Sequence, residues 1–325
     1  RRVGWILLTP IILFVILMVL LYIPPVQNLL RREVTAYASK ATGMQIQVER
    51  IDLRFPLNLL VRGVEVIQQP DTLLSLESLN VRVQAWPLLK GKVEVDEVTL
   101  SQVAVNSANL IEGMQIKGVL GRFFLQSHGV DLSNETAVVN RTELSDTHIQ
   151  LLMTDTTTTP KDTTASAPVN WKVNLHQLKL KNVSFGMKLP ADSMKMAAYI
   201  GEATIDDAKA DLKNQFYGLK QFLLSGASAS YDTGEAQPSE GFDASHMAVR
   251  NIRIGLDSLL YEGRNMNAVI REITMEERSG LSITSLTGRL FSNDSIIRIP
   301  ELKLQTPHSE IDLSAQTYWE LVNIP

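Results

Sequence analysis

The chain has 325 residues, of which 45% are hydrophobic and 20% charged, with a formal net charge of -4. That balance is globular rather than disordered, and Lys and Arg are spread along the chain instead of clustered, which excludes the basic footprint of a nucleic-acid binder. The absence of cysteine excludes disulfides, thiolate zinc sites and cysteine nucleophiles.

The run from Val3 to Ile23 carries no charge. At about 1.5 Å per residue it is long enough to cross a hydrocarbon core of about 30 Å. Trp5 and Tyr22 stand near its ends like interfacial aromatics. The run is too long for a signal peptide and continues into Pro24-Pro25 without a small-residue cleavage site, so residues 1–24 are expected to be an uncleaved transmembrane anchor. Arg1 and Arg2 on one side and Arg31, Arg32 and Lys40 on the other leave its orientation open. A start at Arg1 and an end at Pro325, just after a strand-like run, are expected of a fragment of a longer protein.

Beyond the prolines, Val26, Leu29, Leu30, Glu33, Val34, Tyr37 and Ala41 recur at three- and four-residue steps, and Gly43 stands at a C-cap position. This predicts an amphipathic helix over 25–43. Two roles fit it: capping the end of the following sheet, or lying at a membrane surface to guide lipid toward it.

From Gln45 the period changes to two, and the rest reads as almost all β. Short alternating strands are expected at Ile46/Val48, Ile51/Leu53/Phe55, Val64/Val66, Leu74/Leu76, Leu79/Val81/Val83, Val93/Val95, Val98/Leu100 and Val103/Val105. Others follow at Leu175, Leu178/Leu180, Val183/Phe185, Ala203/Ile205, Ala208/Ala210 and then from Ile252 to Leu313. Several apolar pairs are separated by steps of three, which needs either a tight turn or a bulge to return the next pair to the same face. The stretch from Asp206 to Leu224 also suits a helix and is assigned to strands. Thr154 to Pro168 and Asp232 to Ser245 read as loops. One-sided strands of this kind are compatible with a barrel, a sandwich, a propeller or an open sheet. Short strands poor in aromatics argue against a membrane barrel, and no blade-length repeat supports a propeller.

The five histidines, at 128, 148, 176, 246 and 308, lack the spacing of a metal motif. No metal site, cofactor or enzymatic motif is expected, and Gly226-Ala227-Ser228-Ala229-Ser230 lacks the final glycine of a nucleophile elbow. Asp-Ser/Thr tripeptides similar to a bacterial periplasmic O-glycosylation signal make Thr156 and Thr163, in the Thr-rich loop, candidate modification sites.

The order Thr42-Gly43-Met44-Gln45-Ile46-Gln47-Val48, Ile51-Asp52-Leu53-Arg54-Phe55-Pro56, Leu60-Val61-Arg62-Gly63-Val64-Glu65-Val66, Leu73-Leu74-Ser75-Leu76 and Leu79-Asn80-Val81-Arg82-Val83 resembles the opening module of the TamB/AsmA family. That family is distantly related to the chorein-type bridge-like lipid transfer proteins. Trp171 to Val183 and Leu302 to Leu313 resemble repeats of the family's body. The resemblance implies an anchor at 1–24, a capping helix at 25–43, a β module at 44–153, the loop at 154–168, and further repeats of an elongated, open, curved β-trough at 169–325. It also implies a bacterial inner-membrane protein whose body lies in the periplasm and carries phospholipid toward the outer membrane. On that reading Val64, Val66, Val81, Val83, Val95, Leu100, Val105, Val173 and Leu180 line the lipid groove, and Leu30 and Tyr37 stand at its entrance. The expected partners are the inner membrane, phospholipid and, through a region beyond this sequence, an outer-membrane barrel protein. The alternative is a scaffold for outer-membrane protein assembly that carries no lipid.

Overall fold

The computed structural model describes residues 24–54, 57–84, 87, 94–107, 110, 113–131, 134–154, 170–234 and 237–321. The predicted span and the candidate modification sites Thr156 and Thr163 lie outside the described residues. Among those described, no helix is long and apolar enough to cross a membrane.

Pro24 and Pro25 open helix α1 (Pro24–Thr42), where proline's fixed φ suits the first turn and its missing N–H costs nothing. Gly43 ends it at φ 69°, donating its N–H to the Ser39 carbonyl at 3.0 Å, the left-handed stop that glycine makes most readily. The predicted helix is therefore present, shifted by one residue.

The rest of the protein is mostly β, and it divides into two compact units, residues 1–106 and 107–325. The first contains α1 and the strands β1 (Gln45–Arg54), β2 (Asn58–Gln68), β3 (Asp71–Val83) and β4 (Val95–Asn106). These pair antiparallel in chain order. The unit boundary falls inside the module read from the sequence at 44–153.

The second unit contains β5 (Met114–Asp131), β6 (Thr136–Met153), β7 (Lys172–Leu189), β8 (Met194–Asp211), β9 (Phe216–Leu219) and β10 (Gln221–Asp232). It continues with β11 (His246–Glu262), β12 (Asn265–Glu277), β13 (Ser282–Ser292), β14 (Ile296–Gln305) and β15 (Glu310–Tyr318). Its order is β5-β6-β7-β8-β10-β11-β12-β13-β14-β15, with β9 continuing the β10 row between β8 and β11. The ambiguous stretch from Asp206 to Leu224 is thus strand, turn and strand. All pairs are antiparallel except β6 and β7, which run parallel with a constant offset, Thr136 opposite Lys172 and Leu152 opposite Lys188. β7 therefore starts at the end of the sheet at which β6 began, with Lys172 beside Thr136. Among the described pairings β15 joins β14 alone, and none closes the second unit into a barrel.

The expectation of short strands is corrected. β5, β6, β7 and β8 are each 18 residues long, because a parity break that looked like a strand end is passed within one strand. The device is a residue at positive φ: Asp146 on β6 at 52°, Asn182 on β7 at 53°, Asp207 on β8 at 49°, and Asn251 on β11 at 53°. At each, the left-handed residue kinks the strand so that the next apolar pair returns to the same face. The β6/β7 and β7/β8 register is unbroken across Asp146, Asn182 and Asp207, whereas at Asn251 the pairing shifts as at a bulge. The steps of three are therefore passed inside the strands and not by tight turns. Asp and Asn tolerate this left-handed conformation better than other side chains.

These positions align across strands. One crease runs from Gly121 on β5 through Asp146, Asn182, Gly201 and Gly226 to Asn251. A Cβ added to Gly201 would lie 2.9 Å from the Gly226 carbonyl oxygen, so the crossing there is too tight for any side chain. Asn182 donates to the Asp146 carboxylate at 2.7 Å and Asn251 to Glu276 at 3.1 Å. A second crease holds His176 against Asp207 at 3.1 Å, Lys220 against Asp207 at 3.7 Å, and Arg271 against Asp257 at 3.0 Å. The first unit has its own crease, with Gly63 at φ 59° and Gln102 at φ 50°.

Helix α1 lies along the free edge of β1. Gln27 donates to the Leu53 carbonyl at 3.1 Å, Arg31 to the Val48 and Glu49 carbonyls at 3.2 and 3.0 Å, and the Ser39 hydroxyl accepts from the Ile46 N–H at 3.1 Å. Side chains thus satisfy an edge that would otherwise recruit another strand.

Candidate apolar face

In the first unit the cross-strand pairs place the predicted residues on one face. Val66 stands opposite Ile46 and Leu74, and Val64 opposite Val48 and Leu76. Past the crease, Val81 stands opposite Leu59 and Val98, Leu100 opposite Leu79, and Val83 opposite Val95. Val105 stands opposite Leu74. Every one of these neighbours is apolar, so the face is continuous over β1 to β4 on both sides of the crease.

In the second unit Val173 stands between Ala137 on β6 and Ala210 on β8, and Leu180 between Leu144 and Ala203. The same face continues in the second unit beyond the predicted groove residues. Phe123 on β5 meets Leu144, Ile149 meets Phe185, Ile205 meets Phe222, and Leu224 meets Ile254. Leu286 meets Leu304, which in turn meets Ile311.

This face is not covered. Among the described residues of the second unit the fully buried apolar side chains are Ala137, Ala203, Ala227 and Ala268, all alanines, whereas Ile149 is 41% exposed, Phe185 40% and Ile311 51%. The first unit buries three large ones, Ile51, Leu57 and Leu73. Val105 is 36% exposed, and the other predicted groove residues are half-buried. Of the predicted entrance residues, Leu30 lies within α1, and Tyr37 on the same helix is 77% exposed.

A cavity of about 810 Å³ is floored differently. Its floor is the cross-strand row Gln150, Gly186, Ala197, Ser230 and Ala248, which alternates with the apolar row of Ile149 and Phe185 and so belongs to the opposite face. His148 and Ser184 share a hydrogen bond of 2.5 Å at its rim. None of the predicted groove residues lines a described cavity; they lie on an open surface. The small-residue row of the cavity was missed because Gly, Ala and Ser are ordinary in any strand and only the pairing register brings them together.

Two carboxylates away from the apolar rows are held ionised by their neighbours. The His176 hydrogen bond, opposed by partial desolvation and aided by Lys220, holds the Asp207 carboxyl below its ordinary value. Asp243, in the 233–245 loop, is held well below the usual carboxylate range by the Ser239 N–H, with further donors at Ser245 and His246. Among the described residues no three His, Asp or Glu side chains converge to hold a metal ion.

No family model matches this chain, and no curated protein matches it.

Proposed function

We propose that this chain is the membrane-anchored part of a periplasmic bridge-like lipid transfer protein of the TamB/AsmA kind, and that its apolar sheet face carries phospholipid acyl chains toward the outer membrane along an open, curved trough. The observation that carries the reading is an apolar face kept in cross-strand register from β5 to β15, on which no large apolar side chain among those described is fully buried. Stable proteins rarely leave so much apolar surface without an occupant. An acyl chain supplies one, since each methylene taken out of water contributes about 0.8 kcal/mol. A chain sliding along a uniform apolar face exchanges one such contact for another, so movement does not require full exposure to water. The creases fit this role because they keep successive apolar pairs of a long strand on one side.

The test is native mass spectrometry with lipid extraction on the detergent-purified protein. Several phospholipids per chain are expected, and Val81→Asp or Val95→Asp should remove them while the protein still accumulates and melts cooperatively. A lipid-free protein that retains an outer-membrane protein would replace the conduit with a scaffold.

A further inference from the structure

The apolar stripe of α1 does not face the sheet. Gln27, Arg31 and Ser39, which bind the edge of β1, lie on one side of the helix. Val26, Leu29, Val34 and Tyr37 centre roughly 130° around it at about 3.6 residues per turn. Leu29 is 58% exposed, Val34 47% and Tyr37 77%. A helix normally buries its apolar side against its own fold; this one is fixed by its polar side, and the fixing determines where the stripe points.

We propose that α1 lies in the headgroup region of the bilayer, with Leu29, Val34 and Tyr37 inserted and the Gln27, Arg31 and Ser39 side holding β1 at the membrane surface. The occupant follows from chain continuity. The uncharged run ends at Ile23 and α1 begins at Pro24, so the first turn of α1 cannot leave the interface to which that run leads. An interfacial helix buries its apolar side by about 5–10 Å, within reach of Leu29 and Tyr37. Exposed Arg32 and Lys40 suit the anionic side of such a surface. The consequence is that the first strand of the apolar face starts at the membrane, without a gap for lipid to cross. This rests on the anchor reading above.

The chain contains no cysteine, so Leu29→Cys, Tyr37→Cys and, as a control, Asn28→Cys at an exposed position on the β1-holding side, turned away from the stripe, each accept a single environment-sensitive fluorophore. Each labelled full chain is reconstituted into nanodiscs of phosphatidylcholine and phosphatidylglycerol containing nitroxide-labelled lipid. At 29 and 37 a blue-shifted emission and loss of most of the fluorescence to the nitroxide are expected; at 28 neither. Flotation with carbonate-washed vesicles reports the anchor separately. Retention on vesicles without quenching at 29 and 37 overturns the docking of α1 alone, whereas release by carbonate overturns the anchor and the docking together. A disulfide between two Tyr37→Cys chains would assign the stripe to a second copy and overturn the proposal as well.

Discussion

Asn182 carries a backbone conformation that most side chains avoid, and it does so in the middle of a long strand. Its φ of 53° costs a β-branched residue roughly 1–2 kcal/mol, and its amide is also spent on Asp146. Asn182→Val is therefore expected to lower stability by about 2 kcal/mol, while Asn182→Gly, which relieves the φ strain, stays within about 1 kcal/mol of the parent. Equal denaturation midpoints for the two variants would mean that the kink is not imposed by this residue. Asp243 makes a pH-dependent contribution of definite sign. Its carboxyl is depressed in the folded protein, first by the Ser239 N–H, so its stabilising effect is complete above the ordinary carboxylate range near pH 4 and is lost as the pH falls below it. Asp243→Asn should abolish that part of the acid sensitivity around the 233–245 loop, read by amide exchange at His246 and Met247 between pH 6 and 3. An unchanged profile would remove Asp243 from the account.

At the scale of elements, the attachment of α1 to β1 is made by side chains reaching backbone carbonyls. Arg31→Ala removes two of those bonds, so amide exchange over Gln45–Arg54 should quicken about tenfold, corresponding to about 1.4 kcal/mol of local opening, with β2 and β3 unaffected. Equal quickening in all three strands would indicate loss of the whole unit instead. The helix itself was legible, since Pro24-Pro25 and Gly43 mark its ends and its apolar steps mark its type. Its orientation was not, because hydrogen bonds to a strand edge leave no trace in hydropathy. β5 and β6 were also hidden: Gly118, Thr142 and Thr147 occupy positions in the apolar row where the alternation called for Val or Leu, and no strand was read between Val105 and Trp171. The parallel β6/β7 pair was equally invisible, since an offset of 36 residues between Thr136 and Lys172 appears in no local pattern.

Over the whole molecule, the property most open to test is that parity changes at a crease while the face does not. On β7 the apolar face takes Leu178 and Leu180, then, past Asn182, Val183 and Phe185; even numbers become odd. The predicted residues Val64, Val81 and Leu180 were legible because apolar alternation survives on each side of a crease, but the linking of those stretches into one strand was not, since a bulge and a turn produce the same step of three. If acyl chains travel along this face, a photoreactive phenylalanine analogue placed singly at 178, 180, 183 and 185 should crosslink phospholipid. The same analogue at 179, 181 and 184 should not, because strand side chains alternate between faces. Crosslinking that stayed on even positions through residue 184 would show that the lipid-bound strand is unbroken at Asn182, and the crease would then have no part in carrying lipid. Crosslinking at all seven positions would place lipid on both faces and remove the distinction on which the conduit depends. The predicted switch between 180 and 183 therefore tests the kink, the assignment of the face and the identity of its occupant in one experiment, and a scaffold that binds only protein would give no lipid adduct at any position.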